Sequence, residues 1–249
     1  MRLIVLLICA VLLSSCAAVP VRNNSPIGPG GNFVSLPTAI PQGTGALFHV
    51  VAPGETLWRI SKMYGASVSE IMRANNIESA QGLAVGARLY IPLPRAIRPV
   101  VPLYPSHKWH YIIVHHSATD SGNALSLNNI HNKRGFAGLG YHFVIDNGTY
   151  GKKNGQIEVA PRWIKQQDGA HCRANNMNSR GIGICLVGNF SREKVSSEQL
   201  ASLVYLVNTL KRYYNIPYRN ILGHRQVPGA RTECPGNYFP WREFKRQIQ

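Results

Sequence analysis

Residue types able to hold a transition metal punctuate the second half of this sequence. His115 and His116 close the apolar run YIIVHH, His224 lies in ILGHRQV, and Cys234 follows ten residues later in RTECPG. Zinc favours imidazole nitrogen and thiolate sulfur, and a catalytic zinc keeps three protein ligands and one open position. Two neutral imidazoles and one thiolate leave such a site with a net charge of about +1, which draws the pKa of a water on the ion toward ~7. Neighbours on a strand point to opposite faces, so at most one of the paired histidines can serve. Alternation does not choose between them, because YIIVHH is apolar on both faces. Spacing alone is weak, since a strand-end His and a loop Cys are more often structural.

The elements that must position these residues are legible in outline. YIIVHH reads as a buried strand, SLNNIHNKRG as a helix, and LGYHFVID as a strand entering a Gly/Asn-rich hairpin, DNGTYGKKNGQIEV. RGIGICLVGNF reads as a central strand. Ser196 and Gln199 cap a long helix that carries Leu200, Leu203, Val204, Val207 and Leu210 on one face. ILGHRQV and a closing PWREFKRQ helix follow. This mixture predicts an α/β domain over 107–249, a mixed β-sheet covered by helices.

Ahead of it, residues 48–93 predict a compact unit of their own. FHVV is a short strand, and TLWRISKMYG places Leu57, Ile60 and Tyr64 on one helical face and ends at Gly65. Ser67 and Glu70 form a capping box for a second helix, and ARLYIP alternates as a second strand that Pro92 stops. The V-x-PGETLW-x-I, NNI and VG-x-x-LYIP segments of this βααβ unit resemble the LysM module, a family that binds the N-acetylglucosamine-containing chains of peptidoglycan or chitin. The resemblance implies glycan contacts in the loops before the first helix and after the second, here at Gly54, Thr56, Leu57, Asn76 and Ile77. For Leu57, Trp58 and Ile60, core packing is the competing reading.

VHHSAT, GYHFVI, GAH, GICLVGNF and GHRQV…T-x-CPG occur in one order that resembles the zinc amidase family of phage lysozyme-type amidases, bacterial cell-wall amidases and animal peptidoglycan recognition proteins. That family cleaves the amide between the lactyl group of N-acetylmuramic acid and the first alanine of the stem peptide. The resemblance implies a Zn2+ cofactor held by His115, His224 and Cys234, with Tyr141 and Thr232 as catalytic donors to the water or the developing oxyanion. It places His171, in DGAH, near the substrate groove as a substrate-binding residue. An unperturbed phenol titrates near ~10, so Tyr141 is poorly suited to act as a free base. Some members of the family keep the fold but lack activity, which leaves a non-catalytic peptidoglycan-binding protein as the alternative.

The remaining segments concern export and linkage. Arg2, an apolar LIVLLICAVLL and Leu13-Ser14-Ser15-Cys16 resemble a lipoprotein signal over 1–15 with lipid attached at Cys16. With Ala17 following, this implies a cell-envelope protein anchored at the outer membrane and facing the periplasm. Residues 16–47 read as a flexible tether, and PLPRAIRPVVPLYP as a proline-rich, extended linker over 94–106. A formal charge of +16 suits any polyanion. An exported protein, however, meets wall polymers and lipid head groups, so peptidoglycan strands and stem peptides are the expected partners of a monomer, and nucleic acid is not. After Cys9 and Cys16, an odd set remains: Cys172, Cys185 and Cys234. Cys185 reads as inert core, and its pairing with Cys172 is left open.

Overall fold

The computed structural model describes residues 47–92, 94 and 99–249. The expected signal, Cys16 and the tether up to residue 46 lie outside these residues, and Leu47, read as the tether's last residue, opens the first strand instead.

The N-terminal unit consists of β1 (Leu47–Val50), α1 (Leu57–Tyr64), α2 (Val68–Ala74) and β2 (Arg88–Ile91). The two strands pair antiparallel, with Phe48 opposite Tyr90. Thr56 caps α1 by accepting from the Arg59 amide, and Gly65 ends it at φ 66°. The Ser67–Glu70 capping box starts α2. Leu57, Ile60, Ile71, Leu89 and Ile91 close one small core. Each such buried side chain contributes roughly 1.5–3 kcal/mol of transfer free energy. That settles Leu57, which is 1% exposed. The face of α1 that packs the core carries it inward, so Leu57 is a core residue and not a surface for glycan.

The larger unit contains β3 (Tyr111–His116), α3 (Ala124–Lys133), β4 (Phe143–Asn147), β5 (Asn154–Val159), α4 (Pro161–Ile164), α5 (Met177–Arg180), β6 (Gly181–Leu186), α6 (Ser197–Tyr213), β7 (Ile221–Gly223) and α7 (Trp241–Gln247). Its sheet runs β5-β4-β6-β3-β7. β3 is parallel to both β6 and β7, β4 is parallel to β6, and the β4–β5 hairpin is antiparallel. The sheet is therefore mixed, as the sequence pattern predicts. One face packs Ile112, Val114, Ile184 and Leu186 against the apolar stripe of α6. The other face carries Val144 and Cys185 toward α3. Among the described residues no helix is long and apolar enough to cross a membrane.

The linker is less of a spacer than its prolines suggest. Val101, Leu103 and Tyr104 pack on the main core. The Trp163 indole donates to the Pro102 carbonyl at 2.7 Å, and the Tyr214 hydroxyl donates to the Tyr104 carbonyl at 2.8 Å. The apolar residues between the prolines supply the adhesion.

The two units also share a buried polar seam. The β4–β5 hairpin, longer than the sequence needed for a tight turn, turns Lys152 inward with its side chain fully buried. Its ammonium donates to the Val50 carbonyl at 2.7 Å, pairs with Glu158 at 2.7 Å and lies 3.9 Å from Glu55. Glu55 in turn lies 2.7 Å from His49 and accepts from the Ala52 amide at 2.7 Å. Glu158 accepts from the Ala124 amide at 2.6 Å, which ties the seam to the start of α3. Burial raises the Glu55 pKa, but the His49 hydrogen bond and charge, Lys152 and the Ala52 amide outweigh it and bring it down to about 2. A carboxylate depressed in the fold stabilises it above the ordinary value and loses that contribution as pH falls through the folded value. The parent is therefore expected to melt above Glu55→Gln at pH 7, with the gap closing between pH 4.5 and about 2. A gap that persists at the acid end contradicts the assignment.

Candidate metal centre

The site is assembled at the carboxyl ends of parallel strands, where open α/β sheets place their ligands. β3 lies between β6 and β7, with Val114 opposite Gly223 and His115 opposite Cys185. His224, one residue past β7, therefore arrives beside His115, and the two rings stand 4.7 Å apart between centroids. The chain then loops back. Arg225 donates its amide to the Cys234 carbonyl at 2.8 Å, and the Thr232 hydroxyl accepts from the Cys234 amide at 3.2 Å. These contacts aim the Cys234 sulfur at β3, where the His116 amide donates to it at 3.4 Å.

His115, His224 and Cys234 each offer one ligand atom, and the three atoms lie within 4.8 Å of one another. The His115 Nδ1 to Cys234 Sγ separation is 3.6 Å. Tetrahedral zinc with ordinary Zn–N and Zn–S bonds asks for about 3.6 Å between those donors. The donor set and this spacing fit zinc. Burial first, then the neighbouring His171 and His224, push the His115 pKa well below its ordinary value, and burial lowers that of His224. Both shifts favour the neutral imidazole, the form that can bind a metal.

Comparison with known proteins bears on the same residues. The model of the N-acetylmuramoyl-L-alanine amidase family matches residues 105–237, and that of the LysM domain matches 49–92. The chain belongs to the N-acetylmuramoyl-L-alanine amidase family. Peptidoglycan-recognition protein SC2 of Drosophila melanogaster is 31% identical over 145 residues, 54% of this chain and 72% of the relative. The endolysin of Enterobacteria phage K11 is 27% identical over 130 residues, 49% of this chain and 77% of the relative. A solved amidase, LysC from Clostridium intestinale URNW, is 34% identical, covers 57% of this chain and 88% of its own, and superposes with a TM-score of 0.47.

Around the centre of this amidase domain, Tyr141 sets its ring 5.2 Å from that of His115 and 5.4 Å from that of His131. Burial first, then Cys185 and Cys234, raise the Tyr141 phenol well above its ordinary value. That shift favours the protonated phenol over the phenolate. Thr232 is exposed at the rim, with its oxygen already accepting from Cys234 and its hydroxyl hydrogen available. His116 turns to the opposite face from His115 and accepts from the Phe190 amide at 3.1 Å. His142 is fully buried, accepts from the Gly183 amide at 2.9 Å and bonds the Gln167 carbonyl at 3.0 Å.

One placement departs from the sequence reading. His171 is 9% exposed, and both of its ring nitrogens bond within the protein, to His115 and to Gly181. No polar ring atom is left over for substrate. Cys185 is core, as the sequence pattern predicts: it is fully buried in register with His115, and Tyr141 packs against it. Cys172 and Cys185 are free thiols.

The other LysM positions divide. Gly54, Thr56 and Asn76 are exposed and Ile77 is half-buried against the module core. Thr56 spends its oxygen on the α1 cap. Gly54 backs onto the amidase domain, where an added Cβ would lie 3.2 Å from Ile164 and 3.3 Å from Pro161.

Proposed function

We propose that this chain is a zinc-dependent peptidoglycan hydrolase that cleaves the amide between N-acetylmuramic acid and the L-alanine of the stem peptide. The observation that carries this reading is the convergence of His115, His224 and Cys234 at zinc spacing, with Tyr141 against the first of them. When bound, zinc supplies a Lewis acid for the scissile carbonyl and a water of lowered pKa. His115, His224 and Cys234 would hold the ion. Tyr141, kept protonated, donates to the oxygen that gains negative charge as the carbonyl is attacked. Thr232 offers a second hydroxyl donor at the rim.

The LysM module is proposed to hold the enzyme on glycan strands through the exposed loop residues Gly54, Thr56 and Asn76. Export with lipid at Cys16 would place it in the envelope, at the outer membrane facing the periplasm. Digestion of purified peptidoglycan followed by mass spectrometry tests the reaction. Free stem peptides with an alanine amino terminus are expected; glycan cleavage only, or no product with zinc bound, rejects the reading and favours a binding protein.

His116→Ala separates the paired histidines. It should retain one zinc per chain by metal analysis, and it should lose about 1–3 kcal/mol of stability because the Phe190 amide is left without its acceptor. Loss of zinc from this variant would reassign the first ligand.

A further inference from the structure

His171 stands behind the metal centre in a geometry that dictates where protons sit. Its Nε2 lies 3.1 Å from the Gly181 carbonyl oxygen, and its Nδ1 lies 3.1 Å from the Nε2 of His115. A carbonyl can only accept, so the His171 proton is on Nε2. In a neutral imidazole the other nitrogen is then a lone-pair acceptor, and it can be satisfied only if His115 carries its own proton on Nε2. The remaining nitrogen of His115, Nδ1, is left bare, 3.6 Å from the Cys234 sulfur.

We propose that His171 is a positioning residue: anchored by the Gly181 carbonyl, it fixes the tautomer of His115 and presents that ligand's Nδ1 to the ion. The inference rests on the zinc reading above, but the proton chain itself belongs to the protein.

The ring of His171 is held in a slot that tolerates little else. A Cβ on Gly169 would come within 2.3 Å of its Cδ2, and one on Gly183 within 2.4 Å. The two glycines thus leave room for a flat ring between strand and loop. The backbone is pinned as well, because the amides of His171 and Cys172 both donate to Asn178 Oδ1 at 2.8 Å. His142, itself held at both nitrogens, abuts the ring edge at 5.6 Å between centroids.

The arrangement has a chemical consequence. Metal-bound histidines commonly donate to a carboxylate or a carbonyl, which orients the ring. Here a neutral imidazole is interposed between ligand and carbonyl. It supplies the orientation without a second anion, so two neutral histidines and one thiolate leave the dication with its net positive charge.

Two measurements on the full chain test this. Long-range nitrogen–proton NMR of the metal-free parent should show His115 as the Nε2–H tautomer; Nδ1–H overturns the proposal without any variant. Zinc affinity is then measured by competition with a chromogenic chelator. His171→Ala should bind zinc roughly 10–100-fold more weakly. His171→Asn, whose amide oxygen occupies the place of Nδ1, should recover most of that loss. Parent-like zinc affinity in His171→Ala, with only KM for peptidoglycan fragments raised, would make His171 a substrate contact and overturn the proposal. A parent that shows the Nε2–H tautomer yet binds no zinc would sink the zinc reading and leave the proton chain standing.

Discussion

Cys234→Ala is expected to lower release of stem peptides from peptidoglycan by on the order of a thousandfold or more, with a cooperative melt retained. Cys234 is the only one of the three ligand residues that can bring negative charge, and its sulfur sits at zinc distance from His115 Nδ1. Two readings of this thiol compete, ligand and nucleophile. Burial pushes the Cys234 pKa up to about 12. A thiol held there is not a nucleophile at neutral pH, since the thiolate is the reactive form. A dication bound beside it is what would deprotonate it. The ligand reading therefore predicts that a chelator abolishes activity in the parent and that added zinc restores it. Cys234→Asp, which returns an anionic oxygen ligand, should recover part of what alanine loses. An enzyme indifferent to chelation but inactivated by thiol alkylation would reverse the assignment.

Much of this centre was legible in residue types, and much of its arrangement was not. YIIVHH could not choose between His115 and His116 because both faces of the sheet are covered, one by α6 and the other by α3 and the loops. With no solvent side, hydrophobic alternation has nothing to report, and motif position decided for His115. Leu57 shows the opposite case. Its helical spacing predicted core and its motif predicted glycan, and the packing of α1 obeys the spacing. His171 takes its role from His115, 56 residues away on β3, and from Gly183 on β6. Such roles cannot be read from a local window.

Lys152→Ala is expected to destabilise the fold by about 3–5 kcal/mol, the largest stability effect foreseen for a single side chain outside the apolar cores. In the sequence this lysine is one of a pair in a Gly/Asn-rich hairpin, where a solvated loop is the natural expectation. In the fold its side chain is fully buried between Glu158 and Glu55, and its ammonium also donates to the Val50 carbonyl. Burial lowers its pKa, but Glu158, Glu55 and Asp146 raise it further, so the ammonium stays charged. Removing that charge takes the cation from between two buried glutamates. Asp146 lies beside them, its pKa raised well above its ordinary value by burial first and Glu158 next. The loss should appear as a lowered melting temperature. It should shrink in Lys152→Ala/Glu55→Gln, because the orphaned charge is then removed on one side. Since Val50 and Glu55 come from the LysM module and Glu158 from β5, the variant should also loosen the module from the amidase domain. Limited proteolysis within the 94–106 linker, slow in the parent, should accelerate. A variant that melts and resists protease like the parent would mean that the seam is solvated and that the two units do not depend on it.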